Sequence, residues 1–231
     1  MVNNSDFAPG PFAPNSVLAL FGTNLSFNTV NLTSDLIVGG RLPTMMGGTA
    51  VYVDGSLAPL LFVSPGQINF LVPITEIPGD AQVTVVRQGV NGPTVSIPLV
   101  LAAPQLFSDS TGYVIATDWN NGNAVITPSA PAHSGDVVVL YATGLGAVAP
   151  STFSGELAEY ASPIVNLAGL KVLVNGTALD PAAILYAGLS PGSAGLYQIN
   201  IDLPPNSGTN PQLQVSISGQ TSAAACQLAV Q

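Results

Sequence analysis

The chain has 231 residues, 47% apolar and only 6% charged, with Arg41, Arg87 and Lys171 as its three cations and a net charge of −9. That length suits one large all-β domain or two of ordinary size, and the apolar share argues against disorder. So little positive charge makes nucleic acid and anionic membranes poor partners, and no apolar run reaches the roughly 18 residues of a membrane-inserting helix.

In chain order, the arm 1–13 has no charged region followed by an apolar one, so an export signal is expected outside this numbering. VLALFGTNL at 17–25 and VYVDG at 51–55 lie among the short runs rich in β-branched residues that read as strands. In QINFLVP, Ile68, Phe70 and Val72 face a core while Gln67 and Asn69 face away. Val83 and Val85, then Val95, Ile97, Leu99 and Leu101, alternate about RQGVNGPT as a hairpin. A second hairpin is expected in GYVIATDWNNGNAVIT, where Asn121-Gly122 is a strong turn signal. GELAEYAS, 155–162, is the one stretch with helical character. Leu213, Val215 and Ile217, followed by SGQTS and then Cys226, Leu228 and Val230, form a closing hairpin with Cys226 as a small core residue. With 24 Gly and 20 Pro as punctuation, the whole chain reads as all-β.

The chain also repeats itself. VLALFGTNL at 17–25 returns as VVVLYATGL at 137–145, and VYVDG at 51–55 as VLVNG at 172–176. The words SPG, QIN and LP recur in order, and Gly89 answers to Gly219. Such spacing predicts two tandem immunoglobulin-like β-sandwich domains, 14–104 and 105–231, preceded by the arm 1–13. The recurring phrase then marks a corner and a core strand.

The stretches FGTNL, GGTAVYVDG, APLLFVSPGQINFLVP, GDVVVLYATGLG and SPG-to-LYQIN resemble a family of uncharacterised C-terminal domains of large secreted acidobacterial proteins. Each half is also similar to the IPT/TIG class of immunoglobulin-like domains. The resemblance implies an extracellular or cell-surface, non-catalytic pair of sandwiches and brings no site residues with it.

Few residues invite chemistry. Gly188-Leu189-Ser190-Pro191-Gly192 matches G-x-S-x-G, but the nucleophile elbow needs a strand-to-helix turn, and the sole candidate base is His133. Asp118 to Asn123 faintly resembles the start of a calcium loop, with a hairpin turn as the competing reading. One His and one Cys cannot build a zinc site, and no cofactor is expected. Trp119, with Tyr113, Tyr141, Tyr160 or Tyr186, either stacks on glycans or fills a contact within the protein. Asn3, Asn24, Asn31 and Asn175 lie in N-glycosylation sequons.

The halves differ at their starts. About thirty residues precede the first shared strand of the second half, against a short arm in the first. If the first sandwich lacks a strand, either the arm folds back on its own domain or a neighbouring copy donates one, with Phe7 and Phe12 as the arm's anchors. Head-to-tail donation between copies builds a filament, so a surface-fibre subunit is the leading expectation. A glycan-binding, adhesion or spacer module is the alternative.

Overall fold

The computed structural model describes residues 1–5, 7–222 and 226–231. It is all-β, with antiparallel sheets and three single 3-10 turns as the helical pieces among the described residues. In the first half, one sheet runs Val2–Asn3, Val17–Phe21, Gln67–Leu71, Leu60–Val63, Val30–Asn31. The facing sheet runs Ser56–Leu57, Thr49–Val53, Gly79–Arg87, Val90–Leu99. Side chains alternate across a strand, so Leu18, Leu20, Ile68 and Phe70 of one sheet meet Val51, Val53, Val83 and Ile97 of the other in a single core. Each such side chain contributes about 1.5–3 kcal/mol when fully buried.

The second half repeats the plan. Ala124–Val125, Ala116–Asp118, Val137–Thr143, Tyr197–Asp202, Ile184–Leu189 and Ser162–Pro163 form one sheet, with Gln105–Leu106 also on Val137–Thr143. Thr177–Ala178, Lys171–Val174, Gln212–Ile217 and Gln220–Thr221 form the other, with Cys226–Gln227 beside Gln212–Ile217. Their core holds Val138, Leu140, Ile199, Ile201, Leu213 and Val215, and Cys226 packs partly buried against it. The closing hairpins match across the halves: Gln88 and Gly89 turn at φ 50° and 78°, Ser218 and Gly219 at 52° and 78°. Positive φ at both central residues is the turn whose twist suits a two-residue hairpin.

The expected strand deficit is met within the chain. Val2 pairs with Ala19 and Asn3 with Leu18, on the free edge of Val17–Phe21. Phe12 is 3% exposed in the first core, and its backbone bonds Pro98 and Val100. The arm therefore packs on its own sandwich, occupying one free edge and part of the core that a strand from another copy was expected to supply. Homopolymer formation by strand exchange finds no support in this arrangement. Apolar surface and backbone donors are satisfied in cis without the entropy cost of association.

The segment 155–162 is not helical. Its backbone is spoken for across the halves: Leu42 N–H donates to Gly155 O at 2.9 Å and Leu157 N–H to Gly40 O at 2.8 Å. Val17, Leu42 and Leu71 of the first half pack there with Leu157 and Ala194 of the second.

Candidate functional site

The outer face of the larger sheet in the second half carries a set of ligand-capable side chains. Val137–Thr143 and Tyr197–Asp202 pair so that Tyr141 stands opposite Gln198 and Val139 opposite Asn200. Directly opposed residues share a face, and their neighbours Leu140 and Ile199 point into the core, so these four point outward. The adjoining strand Ile184–Leu189 adds a ring by an irregularity. Its register shifts between Ile184, opposite Ile201, and Tyr186, opposite Asn200. The extra residue, Leu185, stands 51% exposed. A bulge of this kind re-aims the side chain that follows it, so Ile184 packs on the core and Tyr186 turns outward.

Trp119 arrives from the other edge, at the tip of the hairpin between Ala116–Asp118 and Ala124–Val125, and is 58% exposed. The Asp118 carboxylate holds this turn, accepting Asn120 N–H at 2.9 Å and Asn121 N–H at 3.3 Å. Gly122 and Asn123 close it at φ 63° and 60°. Asn120 Oδ1 accepts the Val137 N–H at 2.6 Å and Trp119 N–H donates to Val137 O at 2.9 Å, which fixes the tip to the sheet.

Trp119, Tyr141 and Tyr186 line an open groove of about 540 Å³ together with Ser190, Gln198 and Asn200. Its lining contains no charged side chain. Gln198 Nε2 donates to Asn200 Oδ1 at 3.2 Å, which orients both amides along the groove floor. Tyr186 is anchored by donating its hydroxyl to Leu189 O at 2.9 Å, and burial pushes its pKa up, so the phenol stays neutral. Gly188 makes room for it: a Cβ there would run into the Tyr186 hydroxyl and the Ser162 carbonyl. Aromatic rings offer apolar faces and amides offer paired donors and acceptors, the combination that suits a ring bearing hydroxyls at its rim and C–H groups on its face.

The other sequence candidates fall elsewhere. Tyr113 packs against the second core, and Tyr160, 77% exposed, stands on the loop just before Ala161 at the groove wall. Ser190 sits between two strands, not before a helix, so the nucleophile-elbow geometry is missing. His133 Nδ1 lies 3.6 Å from Asp136 Oδ2 at a surface turn. The calcium-like Asp118 and Asn120 oxygens bond backbone N–H groups in the hairpin.

Of the sequon residues, Asn3 is 2% exposed, with Oδ1 bonded by Ser5, so it is closed to modification. Asn24, Asn31 and Asn175 are exposed, and Asn175 Nδ2 donates to Ser207 O at 3.1 Å. Phe12 is core, and Phe7 is 58% exposed with its ring 6.2 Å from that of Phe21. Sequence reasoning gave Gln198 and Asn200 no role. Their signal was the recurrence of QIN, which keeps both amides on the solvent face of a buried strand.

No family model matches the chain, and no curated protein matches it. Among solved structures it is similar to the Bacteroides ovatus mixed-linkage glucan utilization locus protein SGBP-B in complex with a mixed-linkage heptasaccharide, at 11% identity and TM-score 0.36, over 95% of this chain and 42% of that one. It is also similar to the surface glycan-binding protein PbSGBP-B of Prevotella bryantii, at 16% identity and TM-score 0.30, over 99% and 40%. The tandem Ig repeats of Dlar align at 12% identity and TM-score 0.23, over 95% and 91%. The chain thus spans about two fifths of the length of the first two.

Proposed function

We propose that this chain is a non-enzymatic, extracellular glycan-binding protein built from two sandwich domains, 14–104 and 105–231, and that the Trp119 groove binds neutral polysaccharide. The observation that carries the reading is the convergence of Trp119, Tyr141 and Tyr186 on the Gln198–Asn200 amide pair in one open groove. Rings on a flat sheet face stack on sugar rings without needing to enclose them, and the amides supply hydrogen bonds to hydroxyls. The uncharged lining and the net charge of −9 both favour neutral over acidic sugars.

Trp119 is the one tryptophan of the chain, so its fluorescence reports on the groove directly. Affinity electrophoresis against a panel of neutral polysaccharides, with fluorescence titration of those that retard the protein, tests the reading. Loss of one stacked ring costs on the order of 1 kcal/mol, so Trp119→Ala is expected to weaken binding by roughly fivefold with an unchanged melting temperature. Failure of the wild-type chain to bind any of the panel, or equal binding by a Trp119→Ala/Tyr186→Ala variant, overturns it.

A further inference from the structure

The first half carries the same pattern of side chains on the equivalent face of its own sheet. Phe21 stands opposite Gln67, as Tyr141 stands opposite Gln198. Ala19 stands opposite Asn69, as Val139 stands opposite Asn200. Leu60–Val63 shifts register between Leu60 and Phe62, which places Phe62 opposite Asn69 as the Leu185 bulge places Tyr186 opposite Asn200. The amides are coupled in the same sense, Gln67 Nε2 donating to Asn69 Oδ1 at 2.8 Å.

The arm supplies the counterpart of the Trp119 hairpin. Val2–Asn3 occupies the position on Val17–Phe21 that Ala116–Asp118 occupies on Val137–Thr143. Asn3 Oδ1 accepts Ser5 N–H at 3.0 Å, as Asp118 Oδ1 accepts Asn120 N–H. The chain then turns to present Phe7, whose ring lies 6.2 Å from Phe21 with an interplanar angle of 38°. Phe7 sits at φ 58°, a left-handed conformation that a bulky side chain adopts at a cost, yet its ring stays 58% exposed. Phe21 is 51% exposed beside it.

We propose that Phe7, Phe21 and Phe62, with Gln67 and Asn69, form a second saccharide-binding face, and that the chain engages one neutral polysaccharide through both faces. This inference rests on the reading of the Trp119 groove. Core packing does not call for exposed rings or for a repeated outward amide pair. An apolar docking patch for a protein would not need the amides at the same register positions. Replacement of both tyrosines by phenylalanine removes two hydroxyls and leaves stacking as the main contact, so this face is the weaker and less selective of the two. Two linked faces on one polymer raise the effective affinity well above that of either alone.

The experiment compares the wild-type chain, Phe7→Ala/Phe21→Ala and Trp119→Ala, each checked for folding by thermal melting. Calorimetry counts sites for a tetrasaccharide cut from the polysaccharide that binds, and Trp119 fluorescence follows the groove alone. The expected result is two sites in the wild type and one in Phe7→Ala/Phe21→Ala. That variant should keep its fluorescence titration and lose about tenfold or more in affinity for the polymer, within the range that avidity supplies. Phe21→Tyr, which keeps a ring at that position, should retain polymer binding.

One site in the wild type, or polymer binding untouched by Phe7→Ala/Phe21→Ala, overturns the second face and leaves the groove standing. A wild-type dimer in gel filtration that Phe21→Ala converts to monomer assigns the face to a contact between copies and overturns the proposal. Absence of any binding to the neutral panel overturns both readings together.

Discussion

The Asn15 side-chain amide donates to the Tyr197 hydroxyl at 3.3 Å, joining two residues 182 positions apart across the junction of the halves. The same hydroxyl donates to Gly146 O at 2.7 Å, and the ring is fully buried. Thr143 reinforces the seam by accepting Val17 N–H at 3.2 Å. Asn15 itself sits at φ 63°, where Asn is among the better tolerated residues.

Burial pushes the Tyr197 phenol from 10.0 up to about 12. Between those values the unfolded chain has lost the proton that the folded chain still holds, so stability falls as pH rises through that window and is unaffected below it. The fall amounts to about 3 kcal/mol at about 1.4 kcal/mol per pKa unit. Urea unfolding from pH 9 to 12 should show this decline in the wild type and a reduced one in Tyr197→Phe. Identical curves for the two would show that Tyr197 does not set the alkaline limit.

Phe12 seals the first core from the arm, so Phe12→Ala is expected to cost about 3–5 kcal/mol, and removal of residues 1–13 more. Both should lower the urea midpoint. Electron microscopy should show separate particles for the full chain. Fibres that vanish on arm deletion would instead restore strand exchange between copies.

Gly188→Ala tests whether the Tyr186 ring must be seated as it is. The added methyl meets the Ser162 carbonyl and the Tyr186 hydroxyl, one of them rigid backbone. A cost of about 1–3 kcal/mol is expected from overpacking, with saccharide binding falling by more than the loss of stability explains. Binding that survives at full strength would show that the Tyr186 position is not part of recognition.

Because the groove lining holds no charged side chain, its affinity should change less than about twofold between 0.05 and 1 M salt, a range over which ionic contacts are strongly screened. A steep salt dependence in the fluorescence titration would place charged groups in the contact.

Much of the fold was legible because period-two alternation and turn chemistry act locally. Ile68 and Phe70 lie in the core and Gln67 and Asn69 face out, as their alternation demands. Gly89 and Gly219 stand at matched turns. The site was harder to see. Tyr141 was on a readable strand, but Tyr186 was one of several exposed tyrosines until the bulge at Leu185 fixed its face, and a bulge leaves no periodic mark. The arm was hard to read for a related reason. Two residues of pairing at Val2–Asn3 are too short to announce a strand, and Phe12 reaches the core from outside any named strand. The helical composition of 155–162 lost to long-range backbone bonds, which no local propensity records.

The paired bulges have a genetic consequence. A substitution at Tyr186 or Phe62 dulls one ring and leaves the rest in place. Deletion of the codon for Leu185 or Leu61 would remove only the extra residue and leave Tyr186 opposite Asn200 and Phe62 opposite Asn69 in a regular ladder. One residue gained between Tyr186 and Ala187, or between Phe62 and Val63, would instead slip the ring to the opposite face. Each face is thus tolerant of gradual drift in its side chains, as the exchange of tyrosine for phenylalanine between the halves illustrates, and of losing the bulge itself, but intolerant of a residue gained between the ring and the core positions that follow it. Among relatives that keep the trait, variation should accumulate in ring identity and at the bulge, while the spacing from Phe62 to Val63 and from Tyr186 to Ala187 stays fixed.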